Sequence, residues 1–494
     1  MKKLLFLISG ALCLMIASCS KDSGFMPGPD PALAFSKGYS AHVPVIVVPP
    51  NKDGDNDGDT DDLMAAFASA EPGTVIKLTE GEYHVGIIEL YGFVGKLTGA
   101  GREKTIIYPA ELIAVTPLVV DRNLLPFWWL IIGGDVTISD LTFKTGDGPL
   151  VSDGDELYIK TLASLFAVNN YSEDYGKDDQ QPMNFNMLNV NIICGKMDPA
   201  DSYLGMGYNV LMPLWVGMVY WWPPAQGIEL TKGNYNIINC YIESGFDGFE
   251  FFSMGEEAVA TADRVKTNGC AYGTYCTANF NSRINITNSI FMNSVWYDAF
   301  LEDNDWGLVG GDIAYKRCQY LISGNTFNVS PGIQSLVFQD GRNILLPDYN
   351  YEPTLAMIKN NVFNLKEGST GISLLNNSDG QVRNNRFTGT AGTGVYVNGA
   401  DVFDIWSAPP VYIGTGESKN ELILGNNFTG LSTTLADIVL GENSSNCTVV
   451  GNGKESVIDN GTNNRIVGMK KKPGGQIGPT IRDNLRMWHG MRHH

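Results

Sequence analysis

Two glutamates occupy matching places in similar short stretches, Gly227-Ile228-Glu229-Leu230 and Gly248-Phe249-Glu250-Phe251, 21 residues apart (250 minus 229). A third, Glu302, follows in "DAFLEDNDWG" with Asp303, Asp305 and Trp306 behind it. If these stretches are strands, alternation turns Ile228, Leu230, Phe249, Phe251, Ala299 and Leu301 to one face and Glu229, Glu250 and Glu302 to the other. Stacked like charges on adjacent strands repel. A pair kept despite that repulsion points to a shared proton, a bridging cation or a cationic ligand group. The plainer reading is that all three splay into water as ordinary exposed glutamates. As a catalytic set, Glu229, Glu250 and Glu302 offer acid, base or nucleophile for glycoside hydrolysis. Alternatively Glu250, Glu302, Asp303 and Asp305 offer oxygens to calcium, with a Lys or Arg as base for elimination.

Aromatic residues gather near these acids. "LWVGMVYWWPPA" carries Trp215, Trp221 and Trp222, and Trp306 lies beside Asp305. Their faces suit stacking on sugar rings. A loop buried on its scaffold and an apolar patch for a partner or membrane are the other readings. Of the basic residues, Arg264, Lys266, Lys316 and Arg317 fall near the same region, with solvated surface charge as the plainer reading. The five histidines all lie outside the repeats described next, and no Cys/His spacing suggests zinc.

These side chains need elements to position them, and the sequence repeats. One recurring strand reads N-x-x-apolar, with Asp or Gly at times in the first place: "DLTF", "NVNI", "NCYI", "NSIF", "GNTF", "NNVF", "NNRF" and "GNNF", ending at Phe143, Ile192, Ile242, Phe291, Phe327, Phe363, Phe387 and Phe428. A second type alternates with it: "GIELTK", "GFEFFS", "DAFLED", "QSLVFQD", "GISLLNN" and "GVYVNG". Short apolar strands with Asn/Gly corners and laps of 20-odd residues are what a parallel β-solenoid requires. Long non-repeating segments at about 171–184, 254–281, 304–318, 340–355 and 400–419 follow the second strand type and pile up at one corner. A further insertion, 196–225, enters at the opposite edge, so two walls should flank a groove.

The opening "DDLMAAFASAEPGTVIKLTEGEYHV", then "GKLTGAGREKTIIY" and the laps, resembles the pectate-lyase-like right-handed parallel β-helix superfamily over roughly 55–470. The resemblance implies an all-β chain: a single-stranded right-handed parallel β-helix with a short N-terminal capping helix and long loop insertions. It implies no single activity, because the fold hosts lyases, hydrolases, epimerases and non-catalytic proteins. The Gly-His-Gly segment of polygalacturonase-type hydrolases is absent. Within "DGDNDGDTDDL", Asp53, Asp55 and Asp57 resemble a calcium loop without its closing acid, and Asp59 or Thr60 offers a helix cap instead.

The N-terminus, "MKKLLFLISGALCLMIASCS", reads as a leader with a lipoprotein box. Cys19 would then be the lipid-modified first residue, and the apolar run is too short to span a bilayer. The expected layout is a signal peptide at 1–18, a tether at 19–50, the β-helix at 51–470 and a tail at 471–494. Of the six remaining cysteines only Cys270 and Cys276 are close enough in sequence to suggest a disulfide. The chain has 494 residues and a formal net charge of −19, which argues against nucleic acid as a partner. The reading that follows is a monomeric envelope lipoprotein, anchored in the outer membrane, that binds a polysaccharide and cleaves it. Calcium is the one cofactor expected. A non-catalytic glycan-binding protein and a structural or adhesive surface lipoprotein are the rivals.

Overall fold

The computed structural model describes residues 43–51, 58–110, 127–145, 164–169, 183–195, 212–217, 232–252, 255, 258–277, 281–302, 318–340, 353–404, 411–451, 456–468 and 470–472. From Pro44 onward the chain is one compact unit. Among the described residues its main sheet system holds 34 strands, and every pairing within it is parallel. Successive laps of three strands stack on one another, which makes the molecule a right-handed parallel β-helix, as the repeats predict. The strand Val45–Val48 already pairs with Thr74–Leu78, so the solenoid begins upstream of residue 51. Lys470–Lys472 pairs with Ser456–Asp459, so part of the expected basic tail is a strand.

The helix α1, Gly58–Ser69, closes the N-terminal end with Leu63, Ala66 and Phe67 in the core. Its acids do more than favour the helix N-terminus. The Asp59 carboxylate accepts the backbone N–H of Asn51 at 2.5 Å and of His84 at 2.7 Å, and Thr60 Oγ1 accepts that of Gly86 at 2.7 Å. These side chains therefore clamp the cap to the first laps. The calcium-like residues Asp53, Asp55 and Asp57 lie outside the described residues.

The N-x-x-apolar motif is a corner. Its first residue adopts a positive φ at Asp140 (58°), Asn189 (56°), Asn239 (55°), Asn288 (50°), Asn360 (58°) and Asn384 (54°), and glycine serves at Gly324 and Gly425. Asn, Asp and Gly tolerate this left-handed conformation at least cost. The second residue turns inward. Asn361 Oδ1 accepts the N–H of Asn325, Asn385 Oδ1 that of Asn361, and Asn426 Oδ1 that of Asn385, each at 2.9 Å. Their amide nitrogens donate to main-chain oxygens such as Ile322 O at 2.9 Å. The ladder thus satisfies buried backbone groups at a corner that has no strand partner. Two residues on, Phe291, Phe327, Phe363, Phe387 and Phe428 stack with centroids 4.6–5.1 Å apart and planes within 6–9°.

Two sequence expectations fail here. Cys270 and Cys276 are buried free thiols, like the other four described. Cys276 points into the core between Phe251 and Leu301, away from Cys270. The segment 196–225 is also more than a loop, because Met212–Gly217 is a solenoid strand between Ser164–Asn169 and Asp247–Phe252.

Candidate functional site

The acids lie on the third strand of each lap. As alternation predicts, Phe249, Phe251, Ala299 and Leu301 enter the core. The outward column through Glu250 runs Glu250, Tyr275, Phe300, Val337, and the Trp215 backbone pairs with Glu250 on its other side. The next runs Phe252, Thr277, Glu302, Gln339. Glu250 therefore has Trp215 and Tyr275 as backbone strand neighbours. Glu229 itself lies outside the described residues. The lap is also longer than 21 residues: Thr274 meets Phe249 from 25 residues away, and Asn361 meets Asn385 from 24.

Nor does Glu302 sit diagonally next to Glu250. The stretch 254–281, read as an insertion, contains a whole lap: Val259–Asp263, Lys266–Asn268 and Tyr272–Thr277. Its corner has Arg264 at φ 53° where Asn or Gly is usual, and Thr267 in the phenylalanine column, so the repeat is hidden. Two strand spacings and two residues of offset put the Glu250 and Glu302 backbones about 12 Å apart.

Both acids are buried, at 2% and 1% exposure, rather than solvated on an open floor. A second apolar cluster covers this outer face, including Tyr272, Tyr275, Tyr297, Phe300 and Val337. Within it Glu302 Oε1 accepts a hydrogen bond from the Tyr275 hydroxyl and a longer one, 3.4 Å, from Thr277 Oγ1. The Tyr275 ring stacks on Phe300 at 5.8 Å and 26°, which fixes the phenol against the carboxylate. Burial, and then the charge of Glu302, push the neighbouring Tyr297 phenol up. One edge of the cluster surfaces. Trp296 and Phe246 are half-buried, in edge contact at 5.4 Å, and Val295 beside them is exposed. Tyr272 lies under both, 5.3 Å from Trp296 and 5.6 Å from Phe246.

Of the residues singled out in the sequence, the structure places Glu250 and Glu302 on one sheet face, with the Trp215 backbone paired to that of Glu250. Trp221, Trp222, Asp303, Asp305, Trp306, Lys316, Arg317 and Cys19 lie outside the described residues. Arg264 pairs with its neighbour Asp263 at 2.7 Å, and Lys266 lies over the Tyr241 ring at 5.4 Å, so both are occupied away from the acids. Among the described residues no three His, Cys, Asp or Glu side chains converge to hold a metal. Tyr275, Trp296 and Phe246 were missed in the sequence. The signal was the alignment of "GFDGFEFF", "CAYGTYCT" and "VWYDAFLE", which appears only once the hidden lap is counted.

No family model matches the chain, and no curated protein matches it. Solved structures do. The A-module of a mannuronan C-5 epimerase from Azotobacter vinelandii is 14% identical, with TM-score 0.40 over 85% of this chain and 95% of that one. A PL6 family polysaccharide lyase from Pseudopedobacter saltans is 12% identical, with TM-score 0.38 over 88% and 94%. The catalytic domain of a GH87 alpha-1,3-glucanase, solved with tetrasaccharides, is 10% identical, with TM-score 0.41 over 89% and 70%. The chain is similar to them in its β-helix, and no residue carries over at these identities.

Proposed function

We propose that the protein binds a polysaccharide against the outer face of the third sheet and cleaves it with Tyr275 and Glu302 as the proton-handling pair. One observation carries this: a phenol hydrogen-bonded to a buried carboxylate, beneath aromatic rings that reach the surface at Trp296 and Phe246. The rings supply a stacking platform and the pair supplies a proton at a fixed place. Glu302 accepts from Tyr275 and so sets the direction in which the phenol moves its proton. A two-carboxylate hydrolysis by Glu250 and Glu302 is not favoured. The group bonded to the Glu302 carboxyl is the Tyr275 phenol rather than a water between two acids, and both acids are buried. A second reading, a glycan-binding protein without chemistry, is favoured by the burial of both acids.

A glycan panel with product analysis tests this on wild type, Tyr275→Phe, Glu302→Gln and Trp296→Ala. Cleavage by wild type, lost in the first two variants and weakened in binding by the third, supports the enzyme. Retention of a glycan without products supports the binder. No interaction with any glycan removes both readings.

The same proposal extends to location. The leader at 1–18 and the lipoprotein box place Cys19 as a lipid anchor to the cell envelope, on the outer membrane, with the solenoid as a monomer. Among the described residues no helix is long and apolar enough to cross a membrane. Mass spectrometry of the envelope-extracted chain should find a lipidated Cys19, and Cys19→Ala should release a soluble form. An unmodified Cys19 would remove the anchor.

A further inference from the structure

Three basic side chains gather at the corner between the first and second strands of two successive laps. Lys359 ends the strand Leu355–Lys359, and Arg383 ends Gln381–Arg383. The two are partners in the parallel register, so their backbones stand about 4.8 Å apart. Their neighbours Ile358 and Val382 fill the core, which turns both basic side chains to the outer face. Past the corner residue Asn384, Arg386 opens the second strand of the same lap and is exposed.

Like charges in direct register repel. Elsewhere the fold gives several of its cations a partner: Lys104 has Glu80 at 3.2 Å, Arg264 has Asp263 at 2.7 Å and Lys419 has Glu417 at 2.9 Å. Here the register supplies none. The column through Lys359 and Arg383 continues to Ser323 on one side and Leu424 on the other. Arg386 lies between Val362 and Asn427. Two residues back along the first strands stand Met357 and Gln381, and the corner residues of both laps are asparagines. No carboxylate is among these neighbours. Among the described residues none of the three cations forms an ion pair. Arg383 is half-buried, and its Nε is covered without an acceptor. The guanidinium is thus held against the sheet instead of extending into water, at a place where the fold offers it no acceptor.

We propose that Lys359, Arg383 and Arg386 form a binding site for a phosphate group. Phosphate brings the negative charge that the stacked pair lacks, and several acceptor oxygens. The outer nitrogens of a guanidinium match two oxygens of one phosphate, and a lysine ammonium adds a point charge beside them. Arg386 closes on the group from the second strand. The net charge of −19 opposes anions at long range. Charges farther than about 10 Å are screened at 0.1 M salt, so the three nearby cations decide. Free phosphate and the phosphate headgroup of a lipid offer this same chemistry. The site lies on the first and second strands and is independent of the third-sheet face.

Calorimetric titration of the full chain with inorganic phosphate at low salt tests the site. Wild type should bind saturably, and more weakly as salt rises. Arg383→Met and Lys359→Met keep an apolar stem and remove the charge, so each should stay folded and lose about tenfold or more in affinity. Lys419→Met, which removes a cation outside the site, should bind as wild type does. Absence of saturable binding by wild type overturns the proposal. So does undiminished binding by Arg383→Met, or an equal loss in Lys419→Met. Sedimentation with phosphatidic acid vesicles then reads the source of the phosphate, using Cys19→Ala so that no lipid anchor contributes. Pelleting that is lost on adding Arg383→Met extends the site to a lipid headgroup. Phosphate binding without pelleting assigns it to the free ion.

Discussion

At the scale of single residues, Glu302 and Asp298 are buried acids of one strand with different surroundings. Glu302 faces out and is held by Tyr275. Asp298, four residues earlier, has no cation and sits at 0% exposure, with Ser335 Oγ donating to it at 2.7 Å. Burial pushes its carboxyl up to about 6, against the pull of Ser335 and Ser294. An acid whose folded pKa is raised binds its proton more tightly in the native state. Stability from Asp298 is therefore fully present below about pH 4 and is lost as pH rises toward about 6. Asp298→Asn keeps an acceptor for Ser335 and cannot ionise. Melting curves should show the variant gaining on wild type between pH 4 and 6, by up to about 3 kcal/mol above that window. Parallel pH profiles would refute it. For Glu302→Gln, which keeps an oxygen for Tyr275, melting should change little while any glycan cleavage falls on the order of 10²-fold. A variant that cleaves at the wild-type rate moves the chemistry elsewhere.

At the scale of the element, the corner is where sequence and structure agree best. The N-x-x-apolar motif was legible because a positive φ restricts the residue to Asn, Asp or Gly, and Asn360 at 58° and Asn384 at 54° obey that rule. The lap around Arg264 was not legible, because an arginine can occupy the same φ when its neighbours hold it there, and no composition rule announces that. The strand partners of Glu250 were not legible for a related reason: register is set by backbone pairing, which joins Glu250 to Trp215 and Tyr275. The burial of Glu250 and Glu302 could not be read either, since strand alternation gives a side chain's face and says nothing of what covers that face. The corner also separates two asparagines that look alike in sequence. Asn361 accepts the Asn325 N–H in the interior, whereas Asn364 donates to Asn328 at 2.8 Å on the surface. Asn361→Ala leaves a buried N–H without its acceptor and should cost about 1–3 kcal/mol or more. Asn364→Ala should stay within about 0.5 kcal/mol. Chemical denaturation of both variants checks the contrast, and equal losses would mean that the inner ladder is not what holds the corner.

At the scale of the whole molecule, a solenoid has no centre, and each lap is stabilised only by the laps above and below. The phenylalanine column makes this measurable. Phe363 lies between Phe327 at 4.6 Å and Phe387 at 4.9 Å, while Phe428, the last described ring of the stack, has Phe387 alone at 4.6 Å. Phe363→Ala removes two ring contacts and leaves a cavity walled by neighbouring laps, a loss of about 3–5 kcal/mol. Phe428→Ala removes one ring contact close to the end of the stack, where the remaining laps are few. Its effect should be local: the final laps, through strands such as Thr448–Val450 and Ser456–Asp459, open without the rest. Hydrogen exchange read by mass spectrometry distinguishes the cases. In Phe428→Ala, protection should fall only beyond about residue 420, while the N-terminal laps sealed by α1 keep wild-type rates. In Phe363→Ala the loss should extend to laps on both sides. If Phe428→Ala instead lowers protection evenly from α1 to the last strand, the laps are not semi-independent, and the molecule unfolds as a single cooperative body.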